Sequence, residues 1–438
     1  MVPIAATYNV GAATPINGGR WPGGRLSGAI ALGNATPAGS MSSNTSALAA
    51  ALTLDDIATG GALSDTVPSW LRSAAVHEWV AVPNSTLQGS PAWQAMPTPG
   101  FWGNQLGFVN AENGTGLNEE TSEVWLFGGG HSDYAGNELA SIVLAADSPV
   151  WQLRCTRSEA AAMKPYGSGG TDPAWNTDGK PNSRHSYSGT HFIRKLNRYF
   201  AIDGYTWDSA NIRPMGPATF DVDAGAWEAS GTWPAPPGSD SSSSPGIYAK
   251  HPVTEDIYYG AGGGYKLFKL DTTTKTWTTV TSAIGSYFPG TDVQAIDSAR
   301  NGLTVLSTRA GAGLTNTVFF RVDLTTGVRT DLTMQASADW TAFQAMSTNH
   351  GGLHYAADLD CFFYCFGGTG QGGKVWKITH VSGDTWAIQQ LTMTGATVPA
   401  GTGVANGNIL SRFRYLPALR AVMAFPAANS PIYVAKVA

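Results

Sequence analysis

A tryptophan that returns near the end of one short strand constrains this chain more than any other feature. It stands in Pro149-Val-Trp151-Gln-Leu153, Gly225-Ala-Trp227-Glu228, Lys275-Thr-Trp277-Thr-Thr-Val280 and Asp384-Thr-Trp386-Ala-Ile388, with an earlier copy at Trp79. The underlying unit is about 50 residues. It is stretched in the first intervals and doubled before Trp386, where Gly327-Val-Arg-Thr-Asp-Leu332 fills the skipped slot without a tryptophan. Units of this length, each holding four strands, predict an all-β fold, a β-propeller.

The blades can be laid out along the chain. They run Asn104–Arg154, Ser186–Glu228, Gly246–Val280, Asp292–Leu332 and Gly352–Gln390. Within them, Asp256-Ile-Tyr-Tyr259 and Tyr265-Lys-Leu-Phe-Lys-Leu270 alternate as strands do. The last unit, Ile409–Val437, has only three strands. His77-Glu-Trp-Val-Ala-Val82 has the look of a fourth and would close the ring, removing an open edge. The expectation is a six-bladed propeller, or seven blades if the poorly patterned 155–180 segment hides one.

Residues 1–75 differ: they are rich in Gly, Ala, Ser, Thr and Pro, with one short helix expected near Thr45–Ile57. They read as an extended N-terminal arm, a docking segment for a virion protein partner or for self-association, ahead of a propeller over 76–438.

Composition narrows the function classes. The 438 residues are 42% hydrophobic but only 13% charged, and 53 are glycine. The charged share is about half the usual one, which suits an extracellular or virion β-protein. Net charge is −5 with no Lys/Arg cluster, so nucleic-acid binding by phosphate neutralisation is not expected. Nor is membrane insertion, since no apolar run reaches spanning length. Met1-Val-Pro-Ile-Ala-Ala-Thr-Tyr8 lacks the basic start and apolar stretch of a signal peptide. Export by another route such as lysis, or prior removal of a signal, is implied. Of three cysteines, Cys361 and Cys365 share one strand, about 13 Å apart by strand rise. That is too far for a disulfide, and both are expected to be buried as small apolar groups.

Glycine clusters follow the second strand of several blades: Gly128-Gly-Gly130, Gly262-Gly-Gly264 and Gly367-Gly368. A di-glycine after the second strand paired with a tryptophan in the fourth resembles kelch-type propellers, over roughly residues 76–438. The resemblance implies the fold and leaves the activity open.

In such a blade the loop after the second strand and the segment leading into the first open on the same face. Three segments should therefore converge between the first two blades: Gly130-His-Ser-Asp-Tyr-Ala-Gly-Asn-Glu138, Asn182-Ser-Arg-His-Ser-Tyr187, and Asp203-Gly-Tyr-Thr-Trp-Asp208 on to Arg213. His350 and Arg412 lead into later blades on that face. His191 and His251 should fall toward the opposite face and His354 within a strand, all as structural residues.

The mixture suits sugar polymers. Tyr134, Tyr205 and Trp207 offer rings for a pyranose, while Asp133, Asn137, Arg184, His350 and Arg412 offer directed hydrogen bonds. One chemical reading is β-elimination in a uronic-acid polymer. It needs a cation for the carboxylate, a base for the C5 proton and an acid for the leaving oxygen. Arg184 or Arg213, His131 or His185, and Tyr187 or Tyr205 would fill these roles. In residue types this is similar to propeller-type ulvan lyases, whose resemblance implies catalytic His, Tyr and Arg on one face. Hydrolysis by a carboxylate pair among Asp133, Glu138, Asp203 and Asp208 singles out no pair. Zinc at His131, Asp133 and His185 lacks tight ligand spacing. A copper-radical oxidase would need a cysteine beside the site, whereas all three lie in or beside strands. No cofactor and no metal is expected.

The leading expectation is a carbohydrate-engaging propeller displayed on a virion or cell surface, binding a glycan or receptor. A polysaccharide lyase is the alternative, and a purely structural scaffold the third reading.

Overall fold

The computed structural model describes residues 67–96, 103–130, 133–163, 175–202, 204–207, 216–237, 247–261, 266–282, 284, 293–307, 318–346, 351–368, 370–401 and 409–438. They form six antiparallel blades in a ring, four of four strands and two of five, plus one two-stranded ribbon. The innermost strands are Thr115–Asn118, Thr190–Ile193, Ile247–Lys250, Val293–Asp297, Gly352–Ala356 and Phe413–Leu416. The described part of 155–180 adds no seventh sheet. The helix expected near Thr45–Ile57 lies outside the described residues.

The ring closes as anticipated. Glu78–Ala81 pairs antiparallel with Tyr433–Lys436, placing Trp79 opposite Ala435. The compact unit begins at Asp65, earlier than the blade pattern suggested. Leu71, in the helix Ser69–Arg72, is fully buried, and Lys436 Nζ donates to the carbonyls of Arg72 and Ala74, each at 2.9 Å. Residues 67–75 thus pack with the propeller.

Blades bury both faces, so their second strands read as unbroken apolar runs instead of alternating. Glu123–Phe127 shows how this works. Val124 and Leu126 join a core with Met423, Phe425 and Val434 of blade 6, while Trp125 and Phe127 join another with Phe192 and Tyr199 of blade 2. Each pair of neighbouring blades has its own apolar wedge in this way. Cys361 and Cys365 both face the wedge between blades 5 and 6, and all three cysteines are free thiols.

Three of the recurrent tryptophans send their indole N–H to a carbonyl outside their own strand. Trp151 Nε1 donates to the Ser85 carbonyl at 2.7 Å, Trp79 Nε1 to that of Gly373 at 2.9 Å, and Trp277 Nε1 to that of Pro234 at 2.8 Å. The slot without a tryptophan is filled by the outer strand Arg329–Asp331.

A second regularity sits at the turn joining the first two strands of each blade. Ser122, Asn197, Glu255, Asn301, Asp360 and Arg420 all have left-handed φ of 44–60° at or next to the start of the second strand. One left-handed residue is what a short hairpin loop needs to match the strand twist. Ion pairs between adjacent turns tie the same face. Arg300 makes paired 2.8 Å bonds to Asp360, and Arg194 Nε reaches Glu255 at 2.6 Å. Asp360 also accepts from Tyr355 Oη at 2.7 Å. The Arg300 bonds in particular hold its carboxyl down at about 2.

Two expected outcomes follow. Ser122→Gly should raise stability by about 1 kcal/mol in chemical denaturation, since it removes left-handed strain together with a buried hydroxyl that has no partner among the described residues. The Asp360 carboxyl, depressed from 3.8, should contribute stability that is complete above about pH 4 and lost as pH falls through about 2. Asp360→Asn should therefore lower the melting temperature at pH 6 and converge with the wild type near pH 2.

Candidate functional site

The described parts of the three segments expected to converge between blades 1 and 2 lie together. Arg184–His185 and Tyr205–Thr206 form the small ribbon, with His185 opposite Tyr205. The ribbon lies against the glycine run that follows the second strand of blade 1. Gly129 N donates to the Arg184 carbonyl at 3.2 Å, and Gly130 N to Ser183 Oγ at 2.8 Å. Only glycine fits there. At Gly130, with φ +52°, a Cβ would stand 2.3 Å from the His185 nitrogen. From the other side, Gly204, with φ +104°, would place one 2.0 Å from the His185 carbonyl oxygen. The His185 backbone is thus clamped between two glycines.

The imidazole bridges two carboxylates. Nε2 is 2.7 Å from Asp133 Oδ2, and Nδ1 is 3.7 Å from Glu112 Oε2. His185 and Glu112 are buried, whereas the Asp133 side chain is 52% exposed. The Tyr187 hydroxyl bonds Glu112; burial first, and then this carboxylate, push the phenol well above its ordinary value. Tyr187 meets the His185 ring edge-on at 5.8 Å and the half-buried Tyr205 ring at 6.2 Å. A polar line therefore runs from buried Tyr187 and Glu112 through His185 to a surface carboxylate. At its outer end it can accept hydrogen bonds.

Other predicted residues turn inward. Tyr134 is fully buried and donates to Glu138 Oε1 at 2.8 Å. Glu138 is itself sealed, and burial raises its carboxyl. Asn137, also fully buried, donates to the Pro181 carbonyl at 2.7 Å and Ser158 Oγ at 3.0 Å. Trp207 packs with Ala135 and Met163. Arg184 lies over the Phe127 ring at 5.9 Å, and Arg412 donates to the carbonyls of Val109 at 3.0 Å and Pro426 at 3.2 Å. Both guanidiniums are fully buried, and burial lowers that of Arg412 to about 9. His131, Arg213 and His350, with Asp203 and Asp208, lie outside the described residues. His251 sits beyond the inner strand of blade 3, its Nδ1 accepting from Val253 N and Thr254 N at 3.1 Å.

Glu112 was not singled out from sequence. Its signal is an internal repeat: Glu112-Asn-Gly-Thr115 leads into blade 1 as Tyr187-Ser-Gly-Thr190 leads into blade 2. Glu112, Tyr187 and Leu410 each stand three residues before an inner strand, with left-handed φ of 54°, 45° and 46°. Non-glycine residues held so are strained, and such strain gathers at functional sites. Asn113, also buried, fastens the two lead-ins by accepting from Ser186 N at 2.9 Å and donating to the Gly107 carbonyl at 3.1 Å.

The solved structure titled "Structure of YjhT" is similar to this chain, with 9% sequence identity, 77% of this chain and 95% of that chain covered, and a TM-score of 0.42. No family model and no curated protein sequence matches the chain.

Gly130→Ala should destabilise the protein by more than about 2 kcal/mol, because left-handed strain adds to a backbone clash. Gly225→Ala, with φ +65° but nothing within 4 Å, should cost only about 1 kcal/mol. Denaturant titration of the two variants side by side checks the difference.

Proposed function

We propose that this chain is a carbohydrate-engaging β-propeller whose recognition surface is the blade 1–blade 2 junction of the loop face. One observation supports this above others. The exposed group of the cluster, Asp133, is a hydrogen-bond acceptor fixed by His185 at 2.7 Å, and His185 stands opposite the half-buried Tyr205 in the ribbon. A fixed carboxylate and an aromatic residue in one cluster suit vicinal hydroxyls on a sugar face. A carboxylate there also disfavours an anionic sugar, and the described arginines Arg184 and Arg412 are fully buried. Display on a virion or cell surface, with residues before Asp65 as the docking segment, is part of the proposal. Its support is compositional: 13% charged residues and a Gly/Ala/Ser/Thr-rich N-terminal stretch.

The lyase reading keeps one specific observation in its favour, the edge contact of His185 and Tyr187 between two carboxylates. That pairing holds a base and an acid close together.

The two readings separate in one experiment. Full-length protein and the Asp133→Asn and His185→Ala variants are tested for binding to neutral and acidic polysaccharides. The absorbance of new unsaturated uronate ends is followed in parallel. Sugar recognition by Asp133 predicts saturable binding to a neutral glycan, weakened at least tenfold in Asp133→Asn, with no absorbance change. Absorbance that grows with wild type and vanishes in His185→Ala would replace this reading with the lyase. Absence of binding to any glycan would leave a structural scaffold.

A further inference from the structure

The inner strands enclose an axial channel, separate from the Asp133 surface, with a cavity of about 80 Å3. Its lining is unusually rich in nitrogen: His191 from blade 2, Lys250 from blade 3, Gln294 from blade 4, His354 from blade 5 and Arg414 from blade 6, with Glu119 from blade 1. Lys250 is neutralised, lying 2.8 Å from Glu119 Oε1, and also donates to the Phe192 carbonyl at 2.7 Å.

Arg414 has no such partner. Its Nε donates to the Ser411 carbonyl at 2.8 Å, and its Nη2 to the carbonyls of Thr190 at 3.2 Å and Thr115. It makes no salt bridge among the described residues, and its Nη1 makes no hydrogen bond to them. Two ring nitrogens nearby are also unanswered. His191 is 4% exposed, and among the described residues its Nε2 has no partner; nor has the buried Nδ1 of His354.

Burial first, then the charges of Arg414 and Lys250, lower both imidazoles, that of His354 to about 3. At neutral pH both histidines are therefore uncharged, while Lys250 is held by Glu119 at 2.8 Å and Glu255 at 3.9 Å. Burial likewise brings Arg414 down to about 10. A part-buried cation outside any salt bridge among the described residues, and buried ring nitrogens without a described partner, are each costly, and one bound anion would relieve both.

We infer that the axial channel is a binding site for a small, singly charged anion, a halide or short carboxylate, held by Arg414 Nη1 and the ring N–H groups of His191 and His354. Arg414, a lining cation with no salt bridge among the described residues, matches a ligand of one negative charge. The cavity limits its size to a few heavy atoms.

Bromide is the probe. Crystals of the full chain grown in bromide should show an anomalous peak within hydrogen-bond distance of Arg414 Nη1. In solution, bromide should raise the melting temperature saturably at constant ionic strength, against a gluconate control too large to enter. Arg414→Gln should weaken that response at least tenfold. If this variant does not fold, His354→Leu should still weaken it severalfold. Formate that competes with bromide assigns the site to carboxylates as well; formate that leaves bromide in place restricts it to halides. Bromide found only on the outer surface, or a response unchanged in a folded variant, would overturn the inference.

Discussion

Every blade is held by its two neighbours, and the ring as a whole depends on one backbone pairing, that of Glu78–Ala81 with Tyr433–Lys436. Without it, blade 6 would be a three-stranded sheet with an open edge, and blade 1 would lose one wall of its core. The pairing joins segments far apart in the chain, so it carries a large loop-closure entropy. Side chains reinforce it. Trp79 sends its indole N–H to Gly373 of blade 5, and Ser85 Oγ accepts from Ile432 N at 2.8 Å while its carbonyl receives the Trp151 N–H. The outer edge is then covered by Thr394–Gly395, which pairs in parallel with Glu78 and Trp79. The same device recurs in blade 5, where Thr333–Met334 covers Thr385–Gln390.

Much of this was legible in the sequence because propeller geometry repeats. The tryptophan slot is local: one ring in a fourth strand reaching the adjacent blade leaves a mark at a regular interval. The closing strand was legible from what the last unit lacked. What could not be read was which polar loop residues face water. Tyr134, Asn137 and Trp207 stand in a Gly-rich stretch with the composition of an exposed loop, yet the loop folds back on itself and on 175–182. Nothing local in the sequence encodes that return. Glu112 was missed for the opposite reason. Its lead-in is short and unremarkable alone, and only superposition on the next blade's lead-in exposes it. Leu71 packs in the core of blades 1 and 6 without belonging to any blade, so no blade pattern marks it.

The two polar centres of the molecule solve the problem of buried charge differently. At the blade 1–blade 2 junction, acid predominates: Glu112 and Asp133 flank one imidazole, and the nearby guanidiniums of Arg184 and Arg412 are taken up by carbonyls and a ring. Along the axis, Arg414, Lys250 and two imidazoles line the channel with Glu119 among the described residues. The first arrangement leaves an acceptor at the surface, the second leaves donors inside. Opposite polarity within one ring argues that the two centres answer to different ligands.

The six apolar wedges have a consequence for how such a chain can change over time. The apolar side chains of Glu123–Phe127 join the wedge toward blade 6 or the one toward blade 2 according to their parity. A substitution at Trp125 is therefore answered within the wedge of blades 1 and 2, and one at Val124 within that of blades 1 and 6. Compensation stays within a pair of neighbours, so each junction can drift at its own pace while the ring keeps its shape. The junction between blades 1 and 2 carries the clamped histidine as well as a wedge. It has two sets of demands to satisfy at once, and should drift most slowly of the six.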